Sequence, residues 1–117
     1  MKKIKKTMIT KILLSLLLIG FFSCEKIDVP KDIPSCIKKK IKEQKDEYLD
    51  KVLEYEYNGN TVYLFEPANC PDALFNLYDK NCNHICSPAG GISGNGDGKC
   101  NDFYQTGVEK RLIWTKY

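Results

Sequence analysis

The chain has 117 residues, 43% of them hydrophobic and 28% charged, with six cysteines and one histidine. That length allows one small domain, and the composition excludes a disordered or collagen-like chain. The formal charge of +3 hints at nucleic acid, but it arises from the first segment of the chain.

Met1–Lys11 carries Lys2, Lys3, Lys5, Lys6 and Lys11 and no acid, and an apolar run from Ile12 to Phe22 follows, broken only by Ser15 and Gly20. The run is too short for a spanning helix, which needs about 20 residues, and it fits the apolar core of an export signal. Residues 1–23 are therefore predicted to be a signal peptide. Ser23-Cys24 at its end resembles the lipobox of bacterial lipoproteins, although Phe21 and Phe22 stand where such sequences usually carry Leu and a small residue. The resemblance implies cleavage before Cys24, a diacylglyceryl group on its thiol, and an acylated amine of the palmitate type. Plain secretion or an uncleaved anchor is the rival reading. Without residues 1–23 the balance is 13 basic against 15 acidic residues, a net charge near −2. Nucleic acid is then not an expected partner. The expected one is a membrane, held through two or three acyl chains.

Residues 24–32 read as a polar tether from lipidated Cys24. Residues 33–117 form the single domain. Asp32 is placed to cap a helix, with Pro34 in its first turn. From Ile33 to about Glu47 the apolar positions Ile33, Cys36, Ile37 and Ile41 make one narrow stripe, hence an amphipathic helix. Lys38, Lys39, Lys40, Lys42 and Lys45 cover its other sides. They read either as a solvated face or as a basic patch for lipid headgroups or glycans.

Asn58-Gly59 between Lys51–Tyr57 and Asn60–Glu66 is a strong hairpin signal, because both turn residues need positive φ. A two-residue loop sets Tyr57 opposite Asn60, Tyr55 opposite Val62 and Leu53 opposite Leu64. The face bearing Leu53, Tyr55, Val62 and Leu64 is the expected seat of the helix. Leu74–Tyr78 and Asn83–Cys86 suggest a second hairpin across Asp79–Cys82. Asp79-x-Asn81-x-Asn83 opens like a calcium loop, but His84 and Gly90 occupy the positions that need Gly and Glu. Glu109–Tyr117 is the last expected strand. The fold class is α+β: an N-terminal amphipathic helix packed on a small antiparallel sheet of four or five strands. So small a core calls for disulfide staples.

Export makes disulfides the default state of Cys36, Cys70, Cys82, Cys86 and Cys100. With Cys24 acylated the count is odd, so at most two bridges form and one thiol remains. Cys86–Cys100 is the best-supported pair, because it closes a stretch rich in glycine: Gly90, Gly91, Gly94, Gly96 and Gly98. A second bridge, Cys36–Cys70, would tie the helix to the sheet. Zinc is the rival for these residues. Cys82-Asn-His84-Ile-Cys86 lacks common zinc spacing, so no metal is expected there.

The run CPDALFNLYDKNCNHICSPAGGISGNGDGKCNDF, preceded by YEYNGNTVYLF and PSCIKKKI, resembles a family of small lipoproteins of Bacteroidetes-type bacteria, a domain of unknown function. Its most specific part is Leu77-Tyr78-Asp79, then Ile85-Cys86, then Gly90-Gly91-Ile92-x-Gly94-x-Gly96-Asp97-Gly98-x-Cys100. In the family pattern the place of Cys82 is often Gly and that of Pro71 often a second Cys. The resemblance thus makes Cys82 either the free thiol or a replacement partner for the missing cysteine. It brings no activity, ligand or cofactor with it.

His84 alone supports no catalytic triad, and the scattered carboxylates support no hydrolytic pair. An enzyme is not expected and no catalytic residue is assigned. The glycine-rich loop leads into no helical pattern that would hold a phosphate. It reads first as a tight, disulfide-closed connection. Were it a ligand site, Asn95, Asp97 and Asp102 are the candidate oxygen donors to a cation. The function expected is that of a cell-envelope binding or interaction module on an outer-membrane lipoprotein, facing an envelope protein or glycan. A protease-inhibitor-like or purely structural module is the alternative, and hydrolysis a distant third. Glu25 and Asp28, soon after Cys24 and interrupted by Lys26 and Ile27, resemble the surface-export signals of such bacteria, which implies surface display over the periplasmic face.

Overall fold

The computed structural model describes residues 27–68 and 72–117. The expected signal peptide (residues 1–23), Cys24 and Cys70 lie outside the described residues. In chain order the elements are α1 (Ser35–Gln44), β1 (Leu49–Tyr57), β2 (Asn60–Pro67), β3 (Asn76–Asp79), β4 (His84–Cys86), α2 (Phe103–Thr106) and β5 (Val108–Thr115). The strands form one antiparallel sheet in the order β4-β3-β2-β1-β5.

The β1–β2 hairpin has the register that its turn dictates. Leu53 pairs with Leu64, Tyr55 with Val62 and Tyr57 with Asn60. Asn58 and Gly59 take φ of 52° and 77°, the positive values that let a two-residue turn follow the twist of the strands. The second hairpin is shorter than expected, with Leu77 opposite Cys86 and Tyr78 opposite His84. Its loop is organised by the Asp79 carboxylate, which accepts the backbone N–H groups of Asn81 at 2.8 Å and Asn83 at 2.9 Å. This is the side-chain turn that Asp favours.

α1 is shorter than its apolar stripe. Pro34, not Asp32, stands at its N-cap, and no side chain caps it. Asp32 is drawn away by Arg111 of β5, with which it makes a two-pronged ion pair at 2.7 and 3.2 Å. Arg111 also donates to Glu54 at 3.1 Å. That contact explains a second departure from expectation. The helix packs on the opposite face of the sheet from the one bearing Leu53 and Leu64. Ile33, Ile37 and Ile41 are buried with Leu49, Val52, Tyr63, Phe65 and Ile113. Glu54 makes this face look polar in the sequence, but the Arg111 guanidinium answers its charge, while Val52 and Phe65 extend the apolar surface along the strands. Ile27 and Val29 also pack against this cluster. The packed body therefore reaches back into the segment read as a tether.

The Leu53 face is covered by something the sequence does not announce. Phe103 of α2, fully buried, packs with Leu53, Tyr57, Val62, Leu64, Leu77 and the cysteines Cys86 and Cys100. Its ring lies edge-on to Tyr57 at 5.3 Å and tilted against Tyr55 at 4.8 Å, separations at which aromatic pairs attract. Both faces of the sheet are thus closed, one by a helix and one by a disulfide-tied segment.

Two bridges staple these layers. Cys86–Cys100 forms as expected, with Cα atoms 6.1 Å apart. The other bridge is Cys36–Cys82, which replaces the expected Cys36–Cys70 and removes Cys82 from the role of free thiol. The reason is local. Cys82 occupies the positive-φ position of the β3–β4 turn, at φ 64°, where glycine would sit without strain. The turn holds Cys82 against α1, and the bond to Cys36 offsets its backbone cost. Among the described residues no helix is long and apolar enough to cross a membrane.

Candidate functional site

The segment between Cys86 and Cys100 has neither helix nor strand among its named elements, yet it is ordered by many specific contacts. Its backbone folds on itself: Gly96 N–H donates to Gly90 C=O at 3.0 Å, and Asp97 N–H to Ser87 C=O at 2.9 Å. It is also laced to the chain before β3, where Phe75 N–H donates to Ala89 C=O at 3.0 Å. Gly96 has φ of 69°, and a Cβ there would collide with the Ser87 carbonyl. A side chain is excluded on both counts.

Asp97 fastens the two ends of the loop. One carboxylate oxygen accepts Ser87 N–H at 3.0 Å and the other accepts Lys99 N–H at 3.0 Å. The Lys99 N–H, then that of Ser87, hold its carboxyl below the ordinary value of 3.8. Ser87 is itself buried. Its hydroxyl donates to Asn76 Oδ1 at 2.9 Å, and the His84 ring nitrogen Nε2 lies 3.1 Å from the same oxygen and 3.3 Å from Ser87 Oγ. This polar knot joins β3, β4 and the loop. His84 serves it as a hydrogen-bonding strand residue.

The three candidate oxygen donors go separate ways. Asp97 ties the loop ends as described while remaining exposed. Asp102 accepts the Tyr57 hydroxyl at 2.6 Å, and that hydrogen bond, with burial, holds the Tyr57 phenol above its ordinary value. Asn95 lines a shallow hollow of about 490 Å³ with Pro88, Gly94, Asn101 and half-exposed Tyr104. Among the described residues no three His, Cys, Asp or Glu side chains gather as a metal site.

Among its exposed polar residues the loop presents one large apolar side chain. Gly94 N–H donates to Gly91 C=O at 3.2 Å, closing a turn that carries Ile92. Ile92 is 96% exposed. Sequence reasoning passed over Ile92, because a lone isoleucine among glycines carries no periodicity. A signal for it was present: a large apolar residue between glycines, in a segment closed by cysteines, has no core to enter.

A family model described as a domain of unknown function (DUF6970) matches residues 38–116, more than half of the chain. The chain belongs to that family. The DUF6970 match spans all five strands, α2 and the glycine-rich loop, and it begins two residues beyond Cys36. Neither a curated protein nor a solved structure matches the chain. The family assignment thus names the domain without supplying a reaction, and the DUF6970 loop has to be read from its own geometry.

Proposed function

We propose that the protein is an outer-membrane lipoprotein, anchored through acylated Cys24, whose domain is a binding module of the cell envelope and not a catalyst. The observation that carries this reading is the near-complete exposure of Ile92 on a loop already ordered by a disulfide, by Asp97 and by its internal hydrogen bonds. An exposed apolar side chain on a preordered backbone loses little freedom on binding, so its burial goes into affinity. The occupant proposed is an envelope protein.

A photo-crosslinking residue at position 92, introduced in intact cells, tests it. One discrete protein adduct is expected, together with loss of that partner's co-purification in a folded Ile92→Asp variant. No adduct at position 92, or the same adducts from position 43 on α1, would overturn the reading. The same bracing favours protease inhibition as the second reading. In that case the partner is a protease, and its activity falls on addition of the purified domain.

A further inference from the structure

Three observations fix how the domain sits relative to its anchor. Ile27 and Val29 pack against the cluster beneath α1, so the folded body includes Ile27 on the helix side of the sheet. Only three residue steps separate Ile27 from Cys24, a reach of at most about 11 Å even if fully extended. The surface of that side is rich in lysine. In α1, Lys38, Lys42 and Lys45 (the last just past its end) fall on one flank roughly 60° wide at 3.6 residues per turn, and Lys39 lies beside them. Lys38 Nζ donates to Lys31 C=O at 3.2 Å, which brings Lys31 to the same flank. Glu43 is the one acid within α1, and Asp46 and Glu47 follow its end.

We propose that α1 is the membrane-facing surface of the protein, its lysines set against anionic phospholipid headgroups by the shortness of the link to the acyl chains. The inference rests on the acylation of Cys24 proposed above. Charges attract an anionic leaflet only within about one Debye length, 8–10 Å at physiological salt. The link, at most about 11 Å, is of the same order as that length, so it keeps the Ile27 end of the helix side close to the headgroups whenever the acyl chains are inserted. A tether running freely to residue 32 would allow any orientation. Packing from Ile27 removes that freedom. The Cys86–Cys100 bridge and Phe103 lie on the far face of the sheet, so this orientation turns them away from the bilayer.

The test uses the full acylated protein on vesicles of phosphatidylethanolamine with phosphatidylglycerol, and on vesicles of phosphatidylcholine alone. Flotation reports anchoring. Amine labelling read by mass spectrometry reports orientation. Lys38, Lys39, Lys42 and Lys45 are expected to label about five-fold more slowly on the anionic vesicles, with Lys99 unchanged and the protection lost in high salt. A variant with these four lysines changed to Gln is expected to float as before but to lose its fixed orientation, which lipid-borne quenching of Trp114 reads independently. Flotation with uniform labelling overturns the orientation and leaves the anchor standing. Failure to float overturns both.

Discussion

Changing Cys86 and Cys100 together to alanine opens the loop while leaving no unpaired thiol. The bridge closes 15 residues, counting both cysteines across a separation of 14. Loop-closure entropy puts its contribution at about 3 kcal/mol. The Cys36–Cys82 bridge spans a separation of 46 and contributes about 4 kcal/mol by the same relation. A domain of roughly 90 residues has a total stability of about 4–13 kcal/mol, so the two bridges together supply a large share of it. Each kcal/mol moves the melting temperature of a domain this size by about 4–8 °C. The Cys86→Ala, Cys100→Ala pair is therefore expected to melt about 12–24 °C below the native protein. Full reduction of both bridges is expected to leave a largely unfolded chain. The assay is thermal unfolding followed by circular dichroism, with and without a reductant, on native protein and on each paired alanine variant. A native protein whose melting temperature ignores the reductant would refute the view that this core is too small to stand without its staples.

Further outcomes follow from individual contacts. Gly96→Ala sets a Cβ against the Ser87 carbonyl at positive φ and is expected to cost about 3 kcal/mol. Gly98→Ala has the same sign of φ but open space around it, and about 1 kcal/mol is expected. Equal denaturation midpoints for the two would remove the collision argument. Phe103→Ala empties the centre of the Leu53 face and is expected to cost about 3–5 kcal/mol, read from urea unfolding. Stability is also expected to fall in acid. Asp32 is held below the ordinary value of 3.8 by the Arg111 hydrogen bonds, and Asp97 by the Lys99 and Ser87 N–H groups. Burial pushes Asp79 upward, but the hydrogen bonds from Asn83 and Asn81 outweigh it. Groups with lowered folded values stabilise above the ordinary value, and that contribution disappears as pH drops through the folded one. The phenols act with the opposite sign. Burial raises Tyr63 and Tyr78 above 10, so their contribution is present below pH 10 and lost above it. A urea midpoint that stays flat from pH 6 to pH 2 would contradict the acid half of this argument.

Some of this architecture is legible in the sequence because its cause is local. Asn58-Gly59 fixes a two-residue turn, the turn fixes the register, and the register decides which side chains share a face. The Cys86–Cys100 bridge follows in the same way from the glycine-rich stretch that it must close. The misreadings come from causes distant along the chain. Glu54 looks like a residue for solvent until Arg111, 57 positions later, is brought beside it. The helix packs on the side where that contact lies, against Val52, Tyr63 and Phe65. Asp32, a sound capping residue by local rules, is taken by the same guanidinium. Cys36 finds Cys82 because the Asp79 turn presents that residue, a fact that no spacing encodes. α2 is a single turn, too short for any periodicity, and yet its Phe103 is fully buried in the cluster on the Leu53 face. Within the loop, Asp97 is legible as important. Its role is not, since only the fold shows its carboxylate spanning the loop ends.

Peptide mapping of the native protein by mass spectrometry, extracted from envelopes under thiol-blocking conditions without reduction, bears on the whole account at once. The expected result is an N-terminal peptide beginning at acylated Cys24, peptides joined Cys36–Cys82 and Cys86–Cys100, and Cys70 in neither bridge. An unmodified Cys24 on an extended N-terminus, or a Cys36–Cys70 link, would contradict it.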